Sequence, residues 1–198
     1  MKAFNWENRI REWSLRCIKS LTEQEKCCLP SDIIQSMWLG YLGATEEQIL
    51  SAEARLSVKF PPSYREFLKV TNGLPFVSKY GFKFYSTDEI YSYTAGVLDD
   101  VDIWIEAYEE GDPVTDEEYF VYGEEQNPNY FRPKYMQTAL EISDCDCDYN
   151  DNGVCLLIPQ IITSGGEWEA WIFDSKMGGG AWRYRSFDEM MNTIFNEF

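Results

Sequence analysis

Apolar residues recur along this chain with two different periods. From the N-terminus they fall at Trp6, Ile10, Trp13, Cys17 and Leu21, in steps of three and four. That spacing predicts one amphipathic helix, with Glu7, Arg9, Arg11 and Glu12 off the apolar stripe. Leu29-Pro30-Ser31-Asp32 offers a break and a cap, and Ile33, Ile34, Met37 and Trp38 predict a second short helix ending near Gly40 or Gly43. Thr45 and Gln48 form a capping box at the head of a third helix, whose Ile49, Ala52 and Leu56 share a face. Pro61 and Pro62 cannot continue that helix, because proline has no amide donor and clashes with the preceding turn. They are tolerated in the first turn of a fourth helix, where Tyr64, Phe67 and Leu68 share an apolar face. Asn72-Gly73 supplies the positive-φ residue expected to end it.

Beyond Gly73 the period shortens towards two. Tyr80 to Ser86 alternates and is rich in aromatics, which suits a strand. Residues 106–134 contain Gly111-Asp112-Pro113, Asn127-Pro128 and Arg132-Pro133, so they are expected to form an insertion with one short strand, Glu118 to Tyr122. Val154 to Ile158 is an apolar run bounded by Asn152-Gly153 and Pro159, hence a central strand. Trp168 to Phe173 predicts a strand with both faces partly covered, and Trp182 to Arg185 the last one. Ser186 and Glu189 then frame a capping box, opening a C-terminal helix with apolar Phe187, Met190, Met191, Ile194, Phe195 and Phe198.

The segment around the two prolines resembles the signature of the SUKH superfamily, the Smi/Knr-type domain. The matching features are Glu53, Phe60-Pro61, Tyr64, Phe67-Leu68 and Asn72-Gly73, in order; the family usually has Leu where this chain has Phe60. Thr87-Asp88-Glu89-Ile90 resembles the family's short helical turn, and the closing strand-strand-helix order is similar too. The resemblance spans about 45–198, which leaves 1–44 as an N-terminal helical extension and an acidic insertion at about 99–134. It implies an α+β fold, with N-terminal helices packed on a mainly antiparallel sheet and a C-terminal helix closing the core, an arrangement the order of elements also supports. It further implies a function. Bacterial members of the superfamily are typically immunity proteins that neutralise a cognate polymorphic or contact-dependent toxin, often a nuclease. Eukaryotic members look like signalling and cell-wall regulators.

Composition narrows the chemistry. The chain has 198 residues, 44% of them hydrophobic and 16% aromatic, enough for one globular domain with an insertion. It has no histidine, which excludes Ser-His-Asp and Cys-His catalysis and removes the commonest transition-metal ligand. Cys17, Cys27, Cys28, Cys145, Cys147 and Cys155 lack zinc-site and disulfide-framework spacing, so all six are expected to be free thiols. The longest apolar run has five residues and the N-terminus lacks a signal-peptide core, so a cytoplasmic protein is expected.

Net charge is −17, which repels nucleic acid and anionic membranes and favours a basic partner. The charge is uneven: between Lys83 and Arg132 there are fourteen carboxylates and no Lys or Arg. Apolar and aromatic residues are threaded through them, unlike a purely solvating tail. This pattern fits a surface that steers a cationic partner, and also a solvated face balanced by cations elsewhere. The candidate contact residues are Asp99, Asp100, Asp102, Glu106, Glu109 and Glu110, with Trp104 and Tyr108 as aromatic anchors.

Other motifs carry less. Asp148 to Gly153 matches the first half of a calcium loop, but Pro159 stands where the bidentate Glu belongs, and a hairpin turn is preferred. Gly178-Gly179-Gly180 lacks the Lys-Ser/Thr of a phosphate loop. Glu167 and Glu169 are expected on one solvated strand face. The resemblance, with the acidic charge beside it, implies a non-catalytic immunity protein without metal or cofactor, binding a basic toxin. A regulatory scaffold for endogenous partners and a divalent-metal-dependent hydrolase are the alternatives.

Overall fold

The structure is a computed structural model that describes residues 4–27, 29–75, 83–94, 101–106, 108, 111, 113–144, 153–174 and 180–196. Helices α1 (Trp6–Ser20), α2 (Glu23–Cys27), α3 (Ser31–Ser36), α4 (Glu46–Leu56) and α5 (Pro62–Val70) precede short strands β1 (Lys83–Phe84) and β2 (Tyr91–Ser92). Residues 101–106 form α6, followed by α7 (Asp116–Tyr119). The chain closes through β3 (Leu140–Glu141), β4 (Ser143–Asp144), β5 (Val154–Ile162), β6 (Trp168–Asp174), β7 (Gly180–Tyr184) and α8 (Phe187–Asn196). The fold is α+β, with a five-stranded antiparallel sheet ordered β2-β3-β5-β6-β7 and a separate β1-β4 pair.

The apolar stripe of α1 packs directly into the main core, although it lies in the 1–44 segment. Trp6 meets Phe67 edge-on and Phe187 at a tilt, both at 5.6 Å, and its indole N–H donates to the Ser63 carbonyl. Thr45 and Gln48 make both bonds of their capping box, and Ile49 and Ala52 are buried. The corner that follows is held by Glu53. Its Oε1 accepts the Phe60 N–H at 2.8 Å and an Arg65 N–H at 2.7 Å. Phe60 stands just before the two prolines, so its amide has no helical acceptor; the carboxylate supplies one inside the core. At the head of α5, Glu167 accepts from the Ser63 N–H and hydroxyl at 2.9 and 2.5 Å. A buried carboxylate from the residue just before β6 thus caps a helix whose own N-cap, Pro61, carries no side-chain acceptor.

Several expectations need correction. Helix α5 ends where Thr71 turns extended at φ −147°, two residues before Gly73. Gly73, at φ 93°, serves a different purpose, since a Cβ there would lie 2.6 Å from the Phe84 carbonyl oxygen. Pro30 takes the N-cap of α3 without a side-chain bond. Glu118 to Tyr122 is not a strand. Thr115 and Glu118 form a capping box, and α7 starts there despite the aromatic run. Strand β5 continues past Pro159 to Ile162 because its pairing shifts register between Ile158 and Ile162, and that irregularity tolerates a residue with no amide donor. At α8 the Glu189 N–H donates to Ser186 Oγ, while the Glu189 carboxylate accepts from the Arg185 amide instead of closing the box. Helix α2 was absent from the sequence pattern; Thr22 and Glu25 cap it reciprocally. Residues 80–82, the half calcium loop before Gly153, Gly178-Gly179 and Phe198 lie outside the described residues.

Glu53→Ala is expected to destabilise the domain by about 2–3 kcal/mol, because a buried amide loses its acceptor. Glu53→Gln should recover most of that. Urea denaturation distinguishes the two, and equal losses would show that charge, not hydrogen bonding, holds the corner.

Candidate functional site

Strands β5, β6 and β7 are apolar on both faces. Cys155, Leu157 and Ala170 point to the helices, where they join Phe67, Leu68, Phe187 and Met190. Leu156, Ile158, Trp171, Phe173 and Ala181 point the other way and form a second core with Val101, Tyr119, Phe131 and Met136. The acidic segment 101–138 is therefore a covering layer. Val101, Tyr119, Phe131 and Met136 lie against the sheet, while Asp102, Glu106, Asp116, Glu117, Glu124 and Glu125 are left on the outside.

Two buried ionic groups on the sheet set where this layer sits. Glu169 is fully buried, and accepts from Tyr119 Oη at 2.5 Å, Tyr122 Oη at 2.8 Å and Trp171 Nε1 at 2.9 Å. Arg183, equally buried on β7, donates to the carbonyls of Val121 (3.2 Å) and Tyr130. The Tyr119 ring lies between Arg183 and Arg132, 4.9 and 4.6 Å from the two guanidinium carbons. Arg132 is tied to Asp116 at 2.6 Å. Such groups cost desolvation, so their value lies in register: only one placement of the layer satisfies all of them. Burial pushes the Glu169 carboxyl above the usual range, against the opposing effect of its three donors and Arg183. Burial likewise raises Glu141, which accepts from Tyr85 and Tyr91. The expectation that Glu167 and Glu169 share a solvated face is thus overturned. Alternation predicted the shared face correctly for Glu169 and its apolar neighbours, but a second layer covers it.

The candidate contact residues divide. Asp99, Asp100, Glu109 and Glu110 lie outside the described residues. Asp102 and Glu106 are exposed on α6. Trp104 is half-buried and turned inward, its ring 6.0 Å from Phe131 and 6.2 Å from Phe173. Tyr108 is half-buried, and its hydroxyl accepts the Val114 N–H at 3.0 Å. Among the described residues of this layer, Ile103, Phe120 and Tyr130 are large exposed apolar side chains, alongside exposed Asp116, Glu117, Glu124 and Glu125. Helical spacing could have found this division: Val101, Trp104 and Ile105 recur at three and four, leaving Asp102, Ile103 and Glu106 outside.

Among the described residues, no group of three or more Cys, Asp or Glu side chains is placed to hold a metal ion. The described cysteines, Cys17, Cys27 and Cys155, are outside any disulfide, and burial pushes the Cys17 thiol up to about 11. No helix among the described residues is long and apolar enough to cross a membrane.

The model of the SMI1/KNR4 family (SUKH-1) matches residues 43–193, more than half of the chain, and the chain belongs to that family. No protein of curated function matches it in sequence. Family membership is consistent with a role as an immunity protein.

Glu169 gives a signed pH dependence. Its folded pKa is raised, so its contribution to stability is fully present below the unfolded value, near pH 4.3, and is lost as pH rises through the folded value. The stability of the native protein relative to Glu169→Gln should therefore increase as pH falls from 7 towards about 4.3. Glu169→Leu should cost about 3 kcal/mol or more, since Tyr119 and Trp171 would keep buried donors without an acceptor. Denaturant melts of both variants across pH test this; a pH-independent difference for the Gln variant would contradict it.

Proposed function

We propose that this chain is an immunity protein: it binds a bacterial toxin and neutralises it by occupying a cationic surface. The observation that carries this reading is the acidic covering layer, which anchors Val101, Tyr119, Phe131 and Met136 on the sheet while Asp102, Glu106, Asp116, Glu117, Glu124 and Glu125 face outward. A like-charged surface of this density costs folding free energy through self-repulsion, and a cationic partner relieves it. Nuclease toxins fit the requirement, because a groove that holds phosphates must be cationic. The contact surface is assigned to Asp99, Asp100, Asp102, Glu106, Glu109 and Glu110, extended by Glu117, Glu124 and Glu125. Ile103, Phe120 and Tyr130 serve as exposed apolar contacts, with Trp104 and Tyr108 supporting the layer from beneath. Binding of this kind needs no catalytic group, metal or cofactor. The place of action is the cytoplasm, where a nuclease toxin finds its substrate.

The test has two stages. Immobilised protein captures partners from the producing cells, mass spectrometry identifies them, and co-expression asks whether the protein restores growth against the captured toxin. Association is then measured with Asp102→Lys, Glu106→Lys, Glu117→Lys and Glu124→Lys combined. Electrostatic steering predicts an association rate reduced at least about tenfold at low salt, the difference shrinking as salt rises. Unchanged rates would remove the acidic layer from the interface. Capture of endogenous regulators without any toxin would favour the scaffold function.

A further inference from the structure

A second surface lies on the helical side of the molecule and shares no residue with the acidic layer. Leu42 is 92% exposed and Tyr41 47%, on the segment between α3 and α4. The segment is nevertheless tightly held. The Leu39 N–H donates to Ser14 Oγ (3.1 Å) and the Tyr41 N–H to Thr71 Oγ1 (2.9 Å). The Leu42 carbonyl accepts from the Asn72 N–H (3.2 Å), and the Ala44 N–H donates to the Leu68 carbonyl (2.8 Å). Gly43 allows this close approach, since a Cβ there would lie 2.0 Å from the Lys69 carbonyl oxygen. An apolar side chain fixed in water on a pinned backbone loses little conformational freedom on binding, which favours contact.

Leu42 and Tyr41 themselves line part of an open groove of about 680 Å³, together with Trp38, Val70, Arg11 and Glu7. The Leu42 knob and the groove are therefore neighbours on one face, the condition for a self-complementary contact about a two-fold axis. The electrostatics of the face agree. Arg11 is paired with Glu7 at 3.5 Å, Lys69 with Glu66 at 2.8 Å, and Lys83 with Glu89 at 2.6 Å. Two copies of a chain with net charge −17 repel each other through the acidic layer, so they can approach only through a face whose charges are balanced. Glu7 and Arg11 put one charge of each sign on the groove, so a second copy offers a counter-charge to each.

We infer that a second copy of this chain docks on this face, Leu42 of each protomer entering the groove beside Trp38 of the other. The contact is small, so the dimer is weak, with a dissociation constant on the order of 10–100 µM. It leaves the acidic layer of both protomers free, and it does not depend on what that layer binds.

Sedimentation velocity on the purified chain tests this over a concentration series up to about 0.5 mM, at about 0.05 and 0.5 M NaCl. The expected result is a concentration-dependent dimer, favoured at high salt where self-repulsion is screened. Leu42→Asp should raise the dissociation constant at least about tenfold. Because Leu42 is nearly fully exposed, that variant should fold normally, which circular dichroism checks. Ile162→Asp, an exposed apolar residue at the end of β5, should leave the dimer unchanged. A wild-type chain that stays monomeric throughout would overturn the inference and leave the face to a different partner. A dimer that survives Leu42→Asp, or that Ile162→Asp weakens equally, would overturn it as well.

Discussion

Everything in this molecule follows from a sheet that is apolar on both faces. Strands β5 and β6 alternate between two sets of large hydrophobic residues, and neither set can be left in water. The helices cover one face. The other face demands a second cover, and the chain meets that demand with its most highly charged segment. Hydrophobic burial, at roughly 25 cal/mol per Å², is what holds the exposed carboxylates of the described layer, Asp102, Glu106, Asp116, Glu117, Glu124 and Glu125, on a folded surface. The charge is thus a passenger on an apolar layer, and its placement on the outer side is a geometric consequence.

Non-directional burial would not by itself decide how that layer sits. Glu169 and Arg183 decide it, one reaching up to two phenols and the other to two carbonyls. Glu53 does the same work at the proline corner, and Glu167 at the head of α5. In each case a carboxylate or guanidinium meets backbone or phenolic groups that would otherwise be buried without partners. The ionic residues inside the protein therefore act as register marks, while those outside determine what the surface attracts.

Much of the fold was legible in the sequence. Periodicity placed α1, α4, α5 and α8, and the capping residues placed the start of α4 correctly, because these signals are local. Non-local contacts were harder to read. Glu169 looks like an ordinary outward residue on an alternating strand, and only the layer above it makes it a buried acceptor. Tyr119 to Tyr122 carries strong strand propensity, yet Thr115 and Glu118 three residues apart were enough to start a helix there. The candidate surface was half legible: its charge was obvious from composition, but the inward turn of Trp104 depends on the helical phase of α6 and on Phe131 and Phe173 across the core. The pinned Leu42 had no sequence signal at all, since its holding bonds come from Ser14, Leu68, Thr71 and Asn72.

The inward commitment of the covering layer has an evolutionary consequence. Its anchors, Tyr119, Tyr122, Phe131 and Trp104, are separate residues from those that face solvent. Exposed substitutions away from such anchors usually change stability by no more than about 0.5 kcal/mol. Asp102, Glu106, Glu117, Glu124 and Glu125 can therefore be exchanged one at a time without disturbing the scaffold that displays them. A lineage confronted by a changing adversary could revise its recognition surface in small, individually viable steps.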